Sequence, residues 1–282
     1  MTRAGCLCGA VRYEIDGPFT MMMHCHCSMC RKHHGAPFAT FVAASHEGFR
    51  WLSGQDAVAK FRSSEHGVRS YCRHCGSVAP MLMPDAGLAV APAGNLEGDP
   101  GIRPQGHMFV ASKAAGYTIT DGLPQHAGSP PEFGGGMGVA RPQVAQRDGV
   151  ADGSCLCGAV AYEVRAALRM YQCHCGRCRR ARSAAHGQNL FAKLGDFEFT
   201  RGEELVAHYQ VPEAQRFANA FCTRCGGKAP RVARSAGVVV VPAGTLDTDP
   251  GIRPLANIFV ASKAPWFDIT DGLPQYAEAP PS

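Results

Sequence analysis

The sequence predicts a mainly β fold built from two tandem copies of one module. Three observations support this prediction: an internal repeat runs through most of the chain, short β-rich stretches alternate with turns, and long amphipathic helix patterns are absent. A length of 282 residues suits two domains of ordinary size, and 45% hydrophobic with 18% charged residues is typical of globular proteins.

The repeat consists of five pairs of matched segments, displaced by 148 to 150 positions, and each half of the chain holds seven cysteines in the same order. This regularity indicates a duplication. The matched pairs are residues 5–14 (GCLCGAVRYE) with 154–163 (SCLCGAVAYE), 25–31 (CHCSMCR) with 173–179 (CHCGRCR), 72–76 (CRHCG) with 222–226 (CTRCG), 99–104 (DPGIRP) with 249–254, and 121–125 (DGLPQ) with 271–275.

The duplication predicts a first module at residues 1–127, a linker at 128–150 and a second module at 151–282. We call the two modules the first and second repeat. The linker begins GSPPEFGGGMG, and its glycine and proline content cannot build a hydrophobic core, so we expect it to be exposed.

Within the first repeat, several short stretches bounded by glycine or polar residues favour β-strands. A single helical turn is expected after Cys30. The predicted strand segments are residues 10–15, 38–43, 58–62, 68–72, 88–91 and 108–111.

The cysteine content bears on the compartment. The chain starts MTRAGC without an apolar signal region, and its longest apolar runs, such as residues 238–241, are too short to span a bilayer. We therefore expect a cytoplasmic protein without membrane contact. In a reducing cytosol, fourteen cysteines are expected to be metal ligands rather than disulfides.

Each repeat contains two cysteine pairs, C-x-C-G and C-x-x-C-G, that lie far apart in sequence. Zinc prefers four thiolate or imidazole ligands in a tetrahedron, and structural zinc sites usually combine two such pairs. These pairs therefore predict one closed zinc site per repeat; the alternative is two disulfides. The predicted ligands are Cys6, Cys8, Cys72 and Cys75 in the first repeat and Cys155, Cys157, Cys222 and Cys225 in the second.

Three further cysteines in each repeat form a C-x-C-x-x-C segment, namely Cys25, Cys27 and Cys30, and Cys173, Cys175 and Cys178. Three protein ligands leave one position open, as in catalytic zinc sites. Three thiolates also give Zn²⁺ a net negative charge, which favours a soft thiol over water as fourth ligand. The alternative is a closed site completed by a histidine such as His24, His33 or His34. Seven thiols per repeat predict about two zinc ions per repeat.

A histidine lies between the first two cysteines of each C-x-C-x-x-C segment, His26 in the first repeat and His174 in the second. Neighbouring side chains point apart, so neither is an obvious ligand of the same metal. Each is a candidate proton shuttle, because histidine titrates near neutrality. The alternative is a hydrogen bond that orients a ligating thiolate.

Together these motifs, with KAPWFDITDGLPQ at residues 263–275, resemble the glutathione-dependent formaldehyde-activating enzyme family, also called the centromere protein V-like domain. The resemblance covers residues 1–127 and 151–279. It implies an Mss4-like β-tent in each repeat, with a structural zinc on the four-cysteine set. It also implies that a second zinc, on the three-cysteine set, is where the thiol of glutathione meets formaldehyde.

The two repeats depart from the family pattern in complementary ways. The first keeps GAPF at residues 35–38 but reads KAAG at 113–116, whereas the second keeps KAPW at 263–266 but reads SAAH at 183–186. A substrate pocket is thus intact in one repeat, shared between them or lost in both. Because its GAPF stretch follows the family pattern, we expect thiol binding in the first repeat rather than the second, if only one of them is active.

The leading functional hypothesis is a carbon–sulfur lyase-type enzyme that adds a thiol, glutathione by resemblance, to a small aldehyde such as formaldehyde. The alternative is a non-catalytic zinc module that binds protein or nucleic acid through Arg177, Arg179, Arg180 and Arg182. Fourteen thiolates on four Zn²⁺ ions would turn the formal charge from +5 to −1, so nucleic acid is not expected as a partner. The charge run itself favours a solvated basic face. The oligomeric state is left open.

Overall fold

The structure is a computed structural model that describes residues 1–65, 67–133, 135, 144–215 and 217–281. β-Strands dominate both repeats, which confirms the predicted mainly β class. In the described part of the chain, no helix is long and apolar enough to cross a membrane.

The first repeat forms a three-stranded sheet, a five-stranded sheet and a hairpin, with the sheet orders β1-β2-β5, β10-β3-β4-β9-β8 and β6-β7. Its strands are β1 (Thr2–Gly5), β2 (Arg12–Ile15), β3 (Met21–Cys25), β4 (Ala39–Ser45), β5 (Phe49–Ser53), β6 (Val58–Arg62), β7 (Val68–Cys72), β8 (Met81–Met83), β9 (Leu88–Pro92) and β10 (His107–Met108).

The second repeat has the same strand order plus one additional edge strand, β21, with the orders β11-β12-β15, β18-β19-β14-β13-β20-β21 and β16-β17. Its strands are β11 (Ala151–Ser154), β12 (Ala161–Val164), β13 (Ala167–Cys173), β14 (Gly187–Lys193), β15 (Phe197–Arg201), β16 (Val206–Gln210), β17 (Ala218–Cys222), β18 (Arg231–Ala233), β19 (Val238–Pro242), β20 (Asn257–Ile258) and β21 (Gln275–Tyr276).

Each repeat has one short helix, α1 (Ser28–His34) and α2 (Gly176–Arg182). The helix begins directly after a cysteine because that cysteine's sulfur accepts the backbone N–H of the residue three positions on, at 3.3 Å in both repeats. Gly35 and Ser183 end the helices in the left-handed conformation. The helical turn expected after Cys30 is therefore present, although it starts before that residue.

The predicted strands at residues 58–62 and 68–72 are found with the same bounds, and those at 10–15, 38–43 and 88–91 within a few residues. The predicted strand at residues 108–111 is wrong beyond Met108. Phe109 has φ 58°, which ends the strand, and a 3₁₀ turn follows at Val110–Ser112.

Among the described linker residues, Pro131–Phe133 and residues 144–149 are exposed, as expected, whereas Pro130 is buried and residues 128, 129, 135 and 150 are half-buried. Residue 134 and residues 136–143 lie outside the described part of the chain. The boundaries of the two modules stay predictions.

The hydrophobic core of the first repeat includes a large side chain from the second repeat. Trp266, which is 1% exposed, belongs to the second repeat but lies in the hydrophobic cluster of the first, with Tyr13, Met22 and Phe38. The matching position in the first repeat is Gly116, which lines a small cavity of about 30 Å³ against the second repeat. Burial of an indole ring is worth several kcal/mol, so Trp266 ties the two repeats together on one side only.

The short helices also pack across the boundary between the repeats. Helix α1 contacts the 3₁₀ turn Ala243–Thr245, and α2 contacts the equivalent turn Ala93–Asn95. A Cβ atom on Gly94 would lie 2.2 Å from the backbone nitrogen of Ala184, and one on Gly244 would lie 2.3 Å from the carbonyl oxygen of Ala36. Both glycines are thus required for this close approach. Each helix carries the third cysteine of a C-x-C-x-x-C segment, so that cysteine lies near the opposite repeat.

Candidate metal centres

The four-cysteine sets come together as predicted in both repeats. The four Sγ atoms of each set lie within 4.8 Å of one another, from the loop before the second strand and the turn after the hairpin. The Sγ–Sγ distances are 3.4 Å for Cys6–Cys8, 3.8 Å for Cys8–Cys72 and 3.5 Å for Cys155–Cys157. Tetrahedral zinc with 2.3 Å bonds places its sulfurs about 3.8 Å apart, so the spacing fits a metal ion.

Backbone amides support these sulfurs. Val11 and Val160 donate N–H bonds of 3.3 Å to Sγ of Cys6 and Cys155, and Gly227 donates one of 3.4 Å to Sγ of Cys225. Such bonds stabilise thiolates. All fourteen cysteines are free in the structure, which argues against the disulfide alternative.

The three-cysteine sets also converge. Cys25, Cys27 and Cys30 form one cluster and Cys173, Cys175 and Cys178 the other, with the sulfurs of each within 4.8 Å of one another. In each cluster the first cysteine ends a central strand, the second is the helix N-cap and the third lies in the helix. This one turn of chain therefore presents three sulfurs to a single point.

Among the described residues, no histidine joins either cluster. His24 bonds to Thr40, His33 to the carbonyl oxygen of Ser70, and His34 to the carbonyl oxygens of Arg182 and Ser183. The alternative of a closed site with three cysteines and a histidine is thus not what this geometry favours. Each cluster offers three sulfurs and one position without a protein ligand.

His26 and His174 are fully buried and bond to neighbours other than sulfur. Nε2 of His26 lies 2.8 Å from Nδ1 of His107, whose Nε2 lies 2.9 Å from Asp121. Nε2 of His174 lies 2.8 Å from Oδ1 of Asn257.

Asn257 in turn donates a hydrogen bond from Nδ2 to Asp271 over 2.9 Å, so the second repeat has the same chain of contacts as His26, His107 and Asp121 in the first. Burial, with the neighbouring His107, lowers the pKa of His26 to about 3, and burial lowers the pKa of His174. Both rings are therefore neutral, which fits a positioning role between the ligands.

The surroundings of the two clusters differ. The second opens into a cavity of about 1040 Å³, lined by Cys173, Cys175 and Cys178. At the first, the cysteines are 2–3% exposed and Arg69 donates a 3.1 Å hydrogen bond from Nη1 to Sγ of Cys30. The adjacent cavity there is about 190 Å³. Its wall is mainly apolar, with Phe41, Met81 and Met108, but Arg69 and His33 also line it.

The cysteine pattern and the repeated topology agree with a known protein family. A sequence model of the glutathione-dependent formaldehyde-activating enzyme matches residues 1–112 and 150–262. The chain belongs to this family. Two matched segments in one chain are consistent with two tandem copies of the family domain, as the repeated topology also indicates.

One solved structure similar to this formaldehyde-activating family member is the crystal structure of a protein from Rhodobacter sphaeroides. It is 28% identical in sequence, covers 36% of this chain and 97% of its own length, and aligns with a TM-score of 0.29.

Sequence reasoning missed the role of the arginines in this family member. Arg177, Arg179, Arg180 and Arg182 line the cavity at the second cluster, joined by Arg231 from β18. Arg182 is buried and bonds to Asn219 and Asn189, while Arg177 is exposed. The C-x-x-C-R-R sequence indicates positive charge beside the sulfurs. It does not indicate that these arginines line a cavity.

Proposed function

We propose that the protein is a zinc-dependent carbon–sulfur lyase-type enzyme that adds a thiol, glutathione in the first instance, to formaldehyde or a similar small aldehyde. The single observation that carries the proposal is the second three-cysteine cluster, which has no fourth protein ligand in the described part of the chain and faces a cavity of about 1040 Å³. A volume at the upper end of typical ligand sites suits a tripeptide-sized thiol together with a small aldehyde. Membership of the family supports the same pair of substrates.

The donor set fits zinc. Three soft sulfurs at one point, with a spacing below 4.8 Å, suit a tetrahedral ion that shares its fourth position with an incoming ligand. When bound, zinc supplies the charge that keeps the incoming sulfur deprotonated. Free thiols at fourteen positions agree with a reducing compartment such as the cytoplasm.

In the proposed reaction, the thiol sulfur attacks the carbonyl carbon and forms the S–C bond. The π bond of the carbonyl breaks, its electron pair goes to oxygen, and the proton lost by the thiol ends on that oxygen, which gives the S-(hydroxymethyl) adduct. No oxidant or reductant is needed. The chain's contribution is to hold the thiol beside the aldehyde and to surround the developing oxygen charge with guanidinium groups.

The sequence favoured the first repeat as the active one, but the cavity supports the second. In the second repeat, the proton lost by the thiol reaches the oxygen through solvent, because buried His174 does not line the cavity. The cavity is open to water, as the exposed Arg177 in its wall shows. His174 stays in the proposal as a positioning residue that holds the chain between Cys173 and Cys175 through its bond to Asn257.

The proposal is tested by following adduct formation from glutathione and formaldehyde with purified protein that contains zinc. The expected result is a rate above the uncatalysed one that falls to background in Cys175→Ser. Arg165→Met, which alters an exposed arginine paired with Glu198, is the matched control and should leave the rate unchanged. Adduct formation at the uncatalysed rate in the unaltered protein would contradict the proposal.

A further inference from the structure

We propose that the two three-cysteine clusters have diverged in substrate selection, and that Arg231 selects thiols carrying a carboxylate for the second cluster while Met81 and Arg69 exclude them from the first. This inference rests on the proposed function, since it assigns the substrate preference of the same site.

Arg231 is placed by β18, whose register with β19 pairs it with Val240. Its side chain is half-buried, lines the cavity and lies close enough to Cys178 to feel its charge. Among the described residues, its guanidinium makes no hydrogen bond or ion pair. A half-buried cation without a partner can bind an anionic group. This one lies beside the sulfurs of the second cluster.

The charge of the cavity supports this reading. Five arginines line it, against the two carboxylates Glu213 and Glu278. Arg179 adds a buried Nε atom without a hydrogen-bond partner in the described part of the chain. A ligand with carboxylates reduces this excess of positive charge, whereas a neutral thiol leaves it unchanged.

The first repeat has a methionine at the same point. Met81 pairs with Val90 in β8 and β9 as Arg231 pairs with Val240, so the two positions are structurally equivalent. Met81 lines a cavity of about 190 Å³ with a mainly apolar wall, in which the charged side chain of Arg69 already bonds to Cys30. Transfer of a carboxylate into such a space without a partner is strongly unfavourable.

A second difference closes the first cluster. Arg69 and Asn219 occupy equivalent positions in the hairpins β6-β7 and β16-β17. Arg69 donates to Sγ of Cys30 at 3.1 Å, whereas Asn219 turns away, donates to the carbonyl oxygen of Cys75 at 2.7 Å and accepts from Arg182. The cation that could bind a substrate anion in the first repeat is thus committed to the cluster itself.

The test compares binding of glutathione with binding of its diethyl ester, which keeps the thiol but esterifies both carboxylates. Dissociation constants are measured by titration calorimetry with the full-length, zinc-loaded protein. We expect glutathione to bind more tightly than the ester. In Arg231→Met its affinity should fall about 10- to 100-fold, the value of a hydrogen-bonded charge pair, while the ester's affinity stays within about twofold.

Arg231→Lys should retain part of the preference for glutathione, because it keeps the charge but not the two-pronged geometry. Arg234→Met is the matched control: Arg234 lies on the same segment, pairs with Glu203 and is 72% exposed, so both affinities should be unchanged. Zinc content is measured for every variant, and an unchanged value shows that the clusters are intact.

Three outcomes would overturn the inference. Arg231→Met could bind both thiols as the unaltered protein does, or Cys27→Ser could abolish binding while Cys175→Ser does not. Glutathione and ester could also bind the unaltered protein equally. Failure of the proposed function looks different: neither thiol would bind the unaltered protein at all.

Discussion

Nζ of Lys228 donates a hydrogen bond to the carbonyl oxygen of His33 over 3.0 Å, across the boundary between the two repeats. The side chain is completely buried and also donates to the carbonyl oxygens of Gly76 and Gly226. Lys228 thus joins both four-cysteine turns to helix α1. Its counterpart in the first repeat is Val78, whose backbone N–H bonds instead to the hydroxyl of Ser183.

Lys228 predicts an unusual dependence of stability on pH. Burial, with the nearby charge of Arg182, lowers the pKa of Lys228 to about 7 in the folded protein, compared with about 10.5 when unfolded. Between these values the unfolded chain binds more protons, so the free energy of unfolding should rise with pH, by at most about 1.4 kcal/mol per pH unit. Denaturant titrations from pH 7 to 10 measure this rise.

In Lys228→Met the rise over that pH range should be smaller than in the unaltered protein, because the titrating group is gone. Arg234→Met controls for removal of a cation from the same segment. Equal slopes for Lys228→Met and the unaltered protein would show that another group carries the dependence.

Metal content is the second prediction. Four clusters predict about four zinc ions per chain in protein purified without chelators. Elemental analysis checks the number. Mild chelation should remove zinc from the three-sulfur clusters first, because a site with fewer protein ligands binds more weakly, and from the open second cluster before the buried first one. Four equally resistant ions would contradict the open-site interpretation.

Loss of single cysteines should separate the clusters. Cys72→Ser breaks a buried four-sulfur site, and structural zinc contributes on the order of 10 kcal/mol, comparable with the whole stability of a domain. We therefore expect it to unfold the protein, measured by circular dichroism. Cys175→Ser, at the edge of the cavity, should keep the fold and lose one zinc ion. Cys27→Ser should lose an intermediate amount of stability, because its site is buried but has three sulfurs. Equal destabilisation by all three substitutions would refute this order.

The shared core predicts that a change in the second repeat destabilises the first. Trp266→Ala should cost about 3–5 kcal/mol, the usual range for a buried tryptophan, although Trp266 lies outside the sequence of the first repeat. Hydrogen exchange should show the loss at β2 and β3, beside Tyr13 and Met22. Leu255→Ala is the control, because Leu255 is 56% exposed. Hydrogen exchange that changes only in the second repeat would contradict the packing of Trp266 in the core of the first repeat.

These contacts explain why the two repeats depart from the family pattern at different stretches. Phe38, from the stretch that the first repeat keeps, shares a buried cluster with Trp266, from the stretch that the second repeat keeps. On the other side, Gly116 leaves a small cavity where its counterpart would be a tryptophan. The two retained stretches therefore meet in one core, which Ala185 from the altered stretch of the second repeat also joins.

The sequence by itself determined the duplication, the mainly β class and the grouping of fourteen cysteines into four clusters. These features are local: short strands follow from alternation and turns, and zinc ligands follow from close pairs of cysteines with fixed spacing. The hairpin strands at residues 58–62 and 68–72 were predicted with the same bounds for that reason.

Only the tertiary structure decided which cluster opens to a cavity and which is covered. That outcome depends on single residues from distant strands, Arg69 against Asn219 and Met81 against Arg231, whose positions relative to the clusters are set only when the sheets pair. It also depends on Trp266 crossing into the other repeat. Spacing along the chain carries no record of such contacts, because each is fixed by packing between segments that the sequence keeps far apart.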